Sequence, residues 1–249
     1  MKIGFKRVLA MIAAALVQVV PATAMTVQPV VVNLQTSGRG MTQVITVENT
    51  FANPLPVELT VQELKLTEEG VSLTGVDPGD LLVFPPQALI QPGQTQTFRV
   101  QYVGDPELKQ SKHYYVTVAQ LPVKLPEGQS AIQILYNFQV LVSISPAGAQ
   151  PQIAVQAATI GRNADGKPVP VITVRNDSAA HGYLSDGRLR IVEKDASGKE
   201  IFRKTMSGPE IQQTIGFGLI GAGQERRVTV PVELPAAEGA VEATFSLGD

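Results

Sequence analysis

The chain has 249 residues, with 20 Lys and Arg against 22 Asp and Glu, no cysteine and no tryptophan. A formal charge of −2 argues against a nucleic-acid backbone as partner, which needs clustered cations. The lack of cysteine excludes disulfides and thiolate metal sites, so stability must come from apolar burial, for which the length allows two domains of ordinary size.

Residues 1–24 have the layout of a secretory signal peptide. Lys2, Lys6 and Arg7 precede an apolar run from Val8 to Val20, and Ala22-Thr23-Ala24 supplies small residues for cleavage after Ala24. The apolar run is short of the roughly 20 residues of a membrane span. Cleavage would remove three cations and leave 17 basic against 22 acidic residues, a net charge of −5. No later stretch is apolar enough to span a bilayer, so the expected mature protein works outside the cytoplasm without stable membrane insertion.

From Met41 onward the segments alternate with period two and close on Gly, Pro, Asn or Asp. They include Met41–Glu48, Val57–Leu66, Thr97–Val103, His113–Leu121, Val169–Val174, Arg188–Glu193, Arg227–Leu234 and Val241–Leu247. Such short strands between turn signals predict an all-β protein built from antiparallel sandwiches. Helical spacing is confined to a turn or two at Asp105–Ser111 and Pro209–Thr214. The longest pattern is AIQILYNFQVLVSIS, Ala131–Ser145, in which Ile132, Ile134, Tyr136, Phe138, Val140, Val142 and Ile144 share one face. That predicts a strand well beyond the usual ~5–6 residues.

The Pro- and Gly-containing segment 146–152 reads as a linker. It divides a first domain, 25–145, from a second, 153–249, with turns at Asn163–Gly166, Ser185–Gly187 and Ala196–Gly198. No close sequence repeat relates the two blocks.

Catalytic patterns are missing. His113 reads as an ordinary strand-edge residue and His181 as part of a solvated loop, each in a different domain, and no G-x-S-x-G elbow accompanies them. Asp177 and Asp186 lack the spacing of a calcium loop, and Glu68-Glu69 reads as a solvated hairpin tip. Gly216-Phe217-Gly218-Leu219-Ile220-Gly221 satisfies G-x-G-x-x-G, but a turn and a strand follow instead of the helix that would hold a pyrophosphate. It is therefore read as a glycine-rich β connection. Arg188, Arg190, Lys194, Lys199, Arg203 and Lys204 are interleaved with acids and read as a mixed solvated face. The expectation is a non-enzymatic protein with no cofactor and no metal.

One series of residues resembles a known family. Phe84-Pro85-Pro86 through Leu89-Ile90-Gln91-Pro92-Gly93 leads to Arg99. Tyr114–Pro122, Val47-Glu48-Asn49-Thr50 and the long strand ending at Pro146 follow the same order. Together they are similar to the periplasmic pilus and fimbrial chaperones of the chaperone/usher pathway over residues 25–151. The resemblance implies two immunoglobulin-like β-sandwiches set in an L, located in the periplasm. It also implies a chaperone that completes the sheet of a pilus or fimbrial subunit with its own strand and delivers it to an outer-membrane usher. By position relative to Pro146, the subunit-binding residues carry over onto Ile132, Ile134 and Tyr136, with Phe138 as a fourth, leaving Val140, Val142 and Ile144 to the core. The chain departs from the family at the two basic positions that anchor a subunit carboxylate. Pro29 and Leu141 stand there, and Arg39, Lys112 and Arg175 are the other basic candidates, so the chain reads as a divergent member. An exposed apolar strand is also a surface on which a second copy could pair. The alternative reading is a structural or adhesive surface protein with two immunoglobulin-like domains, and a carbohydrate-active β enzyme is a third for which no carboxylate pair stands out.

Overall fold

The computed structural model describes residues 25–123 and 134–248. The N-terminal strands are β1 (Met25–Gln28), β2 (Val31–Gln35), β3 (Thr42–Asn49), β4 (Leu55–Leu66), β5 (Val71–Leu73), β6 (Leu81–Phe84), β7 (Gln87–Ile90), β8 (Thr95–Tyr102), β9 (Lys112–Gln120) and β10 (Asn137–Ser145). They form one sheet in the order β1-β3-β8-β6 and another in the order β2-β10-β9-β4-β5, with β7 also on β4. The alternating residues do what their period requires. Ile45 and Val47, Phe98 and Val100, Tyr114, Val116 and Val118, and Val140, Val142 and Ile144 are all at most 1% exposed and form one core between the sheets. Each side chain of this size contributes roughly 1.5–3 kcal/mol on leaving water.

The first two strands belong to different sheets. β1 pairs antiparallel with β3, whereas β2 pairs parallel with β10. The switch falls at Pro29, whose preceding peptide is cis and whose ring nitrogen has no hydrogen to give a ladder.

The second set of strands is β11 (Ile153–Arg162), β12 (Pro168–Asn176), β13 (Gly182–Tyr183), β14 (Gly187–Lys194), β15 (Glu200–Met206), β16 (Leu219–Ile220), β17 (Glu225–Thr229) and β18 (Ala240–Leu247). Sheets β11-β12-β17 and β15-β14-β18 enclose a second core around Ile172, Val174, Leu189, Ile191 and Met206, and β13 pairs with β16. The helix α1, Gly208–Ile215, begins with Pro209 in its first turn and the Glu210 carboxylate accepting the Ser207 N–H at 2.7 Å. It ends at Gly216, whose φ of 76° suits glycine. The G-x-G-x-x-G run thus joins a helix to β16, the reverse of the order a dinucleotide site needs. Asp105–Ser111, expected to be partly helical, is a set of turns in which Asp105 bonds the Glu107 N–H. Of the mixed charged face, Lys194 pairs with Glu242 and Arg203 with Glu200.

A short sequence correspondence between the two halves gains its meaning in three dimensions. Ile45-Thr46-Val47-Glu48-Asn49 ends β3, and Ile172-Thr173-Val174-Arg175-Asn176 ends β12. Asn49 and Asn176 are wholly buried. The Asn49 amide donates to Ile90 O and Asn53 O, and the Asn176 amide to Ile220 O, Gly221 O and Ala180 O. Ile90-Gln91-Pro92-Gly93-Gln94 and Ile220-Gly221-Ala222-Gly223-Gln224 are the matching partner turns, and Gln94 O and Gln224 O accept the N–H of Asn49 and Asn176. One buried amide in each sandwich therefore satisfies carbonyls that neither sheet can reach.

Candidate functional site

The regular strand expected from Ile132 to Ile144 begins instead at Asn137. Its antiparallel partner β9 stops at Gln120 and is followed by Leu121-Pro122, and its parallel partner β2 begins only at Val31, opposite Leu141. Proline supplies no donor at either limit. One bond continues the ladder, from Gln120 N–H to Tyr136 O at 2.9 Å. Ile132 lies outside the described residues. Ile134 is 69% exposed and Tyr136 37%, with Leu135 also exposed between them. Phe138 is half-buried and packs against the first core, and the Tyr136 ring lies 5.9 Å from that of Phe51.

The geometry of the edge follows from these limits. Asn137–Val140 pair with Ala119–Val116 on one side, while among the described residues no strand pairs their other side. An open half-strand therefore runs directly into three exposed apolar residues. Open main-chain groups beside alternate apolar side chains are what an added strand needs.

The opposite face of β10 meets the second sandwich. Ser143 and Ser145, on alternate positions to Val142 and Ile144, are buried. Ser143 Oγ lies 2.9 Å from His113 Nδ1, and Ser145 Oγ lies 2.8 Å from His181 Nδ1 and 2.9 Å from Ser111 Oγ. Asn33 Oδ1 accepts from His181 Nε2 at 2.9 Å and from the Tyr183 hydroxyl at 2.8 Å. Ser111 N–H donates to Ala179 O at 3.0 Å. Both histidines differ from the sequence expectation: His113 is 4% and His181 8% exposed, and their rings meet edge-on with centroids 5.3 Å apart. The reason is packing between sandwiches, which places the loop carrying His181 over β9 and β10. Burial lowers His113 to about 3, helped by repulsion from His181, and burial lowers His181 to about 4. Burial raises the Tyr183 hydroxyl to about 12.

A groove of about 460 Å³ opens beside this cluster, lined by Asn33, Gln35, His181, Tyr183 and Asp186 among others, and no Lys or Arg is among its lining residues. The three basic candidates stand elsewhere or are engaged. Arg39 lies in the short turn Gly38–Met41, Lys112 bonds Asp80 at 2.8 Å, and Arg175 pairs with Asp177 and Glu225. Burial opposes the charge of Asp80, but hydrogen bonds from Lys112 and Tyr114 outweigh it and hold the carboxyl below its usual range. A second contact joins the sandwiches at the tip of the β4–β5 hairpin. Gln224 Nε2 donates to Thr67 O at 2.6 Å and the Arg227 N–H to Glu68 O at 2.9 Å.

Asn33, Ser143, Ser145 and Tyr183 were not singled out from the sequence. The only signal of Asn33, Ser143 and Ser145 was polarity on the face of β2 and β10 opposite the apolar one, a feature shared with any solvated strand face, and Tyr183 on β13 carried none.

A family model described as "Pili and flagellar-assembly chaperone, PapD N-terminal domain" matches residues 24–150, just over half of the chain. No curated protein matches the sequence. Among solved structures, the YadV chaperone is similar at 15% identity and a TM-score of 0.53, covering 89% of this chain and 91% of its own. A chain of the CsuC–CsuE chaperone–tip subunit pre-assembly complex from archaic chaperone–usher Csu pili of Acinetobacter baumannii has 10% identity, coverage of 88% and 97%, and a TM-score of 0.51. A chain of the Salmonella enterica SafA pilin–SafB chaperone complex has 12% identity, coverage of 90% and 96%, and a TM-score of 0.51. These likenesses support the two-sandwich, all-β, immunoglobulin-like fold, and the family match covers the domain that carries β10 and its open edge. The chain belongs to the pili and flagellar-assembly chaperones, as a divergent member of that family.

Proposed function

We propose that this protein is a periplasmic chaperone that captures pilus or fimbrial subunits by lending them a strand and passes them to an outer-membrane usher. The observation that carries the reading is the open edge of Asn137–Val140 continuing into exposed Ile134, Leu135 and Tyr136. A subunit lacking one strand would pair its backbone with this edge and bury Ile132, Ile134 and Tyr136, with Phe138 contributing its exposed part. Residues 1–24 would direct export and be removed, residues 146–152 would link the two domains, and no catalytic group takes part.

The groove beside His181 is lined by the Asn33 and Gln35 amides, the His181 ring, the Tyr183 hydroxyl and the Asp186 carboxyl, with no Lys or Arg among its lining residues. Capture in this chain would accordingly depend more on the strand edge than on charge.

The test is co-expression with a small secreted pilus or fimbrial subunit, followed by isolation of a soluble 1:1 complex. Ile134→Lys and Tyr136→Lys should each abolish co-purification while the chaperone remains folded. Unaltered complex yield with both variants would refute capture through this face.

A further inference from the structure

We propose that the joint between the two sandwiches is an acid-responsive hinge, in which proton uptake at His113 and His181 breaks the contacts holding 177–182 against β9 and β10. Among the described residues two separate sets of hydrogen bonds join the sandwiches, and one of them contains titratable rings. In the first, His181 bonds Ser145 and Asn33, Tyr183 bonds Asn33, and Ser111 bonds Ala179 O and the His181 N–H. In the second, Gln224 and the Arg227 N–H bond Thr67 O and Glu68 O. The second set uses an amide, a backbone N–H and carbonyls, so it does not respond to pH, and with the linker at 146–152 it forms the pivot.

The first set is matched to neutral imidazoles. Asn33 Oδ1 accepts from His181 Nε2, which leaves Nδ1 as the acceptor of the Ser145 hydroxyl. His113 has Ser143 on Nδ1 and, among the described residues, no partner on Nε2. Among the described residues, a second proton on either ring would have no carboxylate hydrogen-bonded to it. The charged groups lining the cleft on the His113 side are Glu63, Lys65 and Lys112, the last paired with Asp80. Asp186 borders the His181 groove, its own carboxyl raised by burial, and Arg175, Asp177 and Glu225 pair with one another outside. Glu68 and Glu69 sit at the hairpin tip with Arg226 and Arg227 across from them. None is hydrogen-bonded to either imidazole. Two cations with ring centroids 5.3 Å apart would also repel each other, so opening relieves both desolvation and repulsion.

The inference does not depend on the chaperone reading. Because the chain has no cysteine, Gln91→Cys with Ala196→Cys gives two unique dye positions, one on each sandwich. Energy transfer between them should change as pH falls from 7.5 to 4, before circular dichroism reports loss of strand. In the His113→Asn, His181→Gln background that change should disappear or move at least one pH unit. The wild-type imidazole NMR signals should stay neutral to below pH 6 and titrate together with the distance change. The idea is overturned if dye distance stays constant while strand content is intact, or if either ring titrates near 6.5 with no change in distance. It is equally overturned if the double variant keeps the wild-type profile. Should that variant fail to fold, the wild-type NMR and distance profiles still decide.

Discussion

Ile134 and Ile144 lie on the same alternating series, ten positions apart, yet the structure gives them opposite tasks. Ile144 is 0% exposed between the sheets, and Ile134 is 69% exposed. Truncating Ile144 to alanine removes buried methyl and methylene groups and leaves a cavity, which costs about 2–5 kcal/mol of folding stability. Truncating Ile134 removes little that folding had buried, so its cost should stay within about 0.5 kcal/mol. Binding should show the reverse. If a client buries Ile134 fully, the lost contact is about 1.5–3 kcal/mol, or roughly 10- to 150-fold in affinity. Urea unfolding of the two alanine variants measures the first quantity, and titration with a purified subunit the second. Destabilisation of more than about 1 kcal/mol by Ile134→Ala, or less than about 1 kcal/mol by Ile144→Ala, would refute the division of this strand into lent and retained halves.

Other outcomes follow from the same structure. Asn176→Ala takes the amide donor from the buried Ala180, Ile220 and Gly221 carbonyls, of which Ala180 O keeps the Ser178 hydroxyl and Gly221 O the Gln224 N–H, and takes the acceptor from the Gln152 and Ser178 N–H groups, at about 1–3 kcal/mol for each group left with no partner and no water. Its unfolding midpoint in urea should fall by an amount equivalent to at least about 3 kcal/mol, and Asn49→Ala should behave alike in the first sandwich. Stability should also fall with acid. Both imidazoles are depressed from 6.5, so the less ordered state binds the proton first. Their contribution is complete above pH 6.5 and lost progressively from there down through about 4 and 3. At pH 5 the loss is on the order of 2 kcal/mol per ring, measurable as a larger fall in melting temperature between pH 7.5 and 5 than the double His variant shows. Gly187→Ala should lower the melting temperature, because a methyl there would lie 2.3 Å from Ser246 O and 2.5 Å from the Phe245 ring. Mass spectrometry of the exported protein should find Met25 as its first residue.

Much of the fold was legible because each half-buried strand writes its exposure into alternate residues. Val140, Val142 and Ile144 entered the core as that alternation required. The limits of β10 were less legible, because they depend on where its neighbours end, at Gln120 and at Val31. Burial of the histidines was illegible for a related reason. His113 and His181 are 68 positions apart, and only the packing of one sandwich on the other brings their rings together. The Asn49 and Asn176 latches show the same gap in miniature. Four residues of five and a turn recur in each half, but the similarity is too short to read as a repeat until both amides are seen bonding equivalent carbonyls.

The central claim is that the edge of Asn137–Val140 and the residues preceding it form the surface lent to a subunit. Amide hydrogen exchange of the chaperone, alone and with a co-expressed subunit, tests it most directly. Slowed exchange centred on Ile132–Val140 in the complex is the predicted result. Unchanged exchange across that segment, with protection appearing elsewhere, would contradict the account.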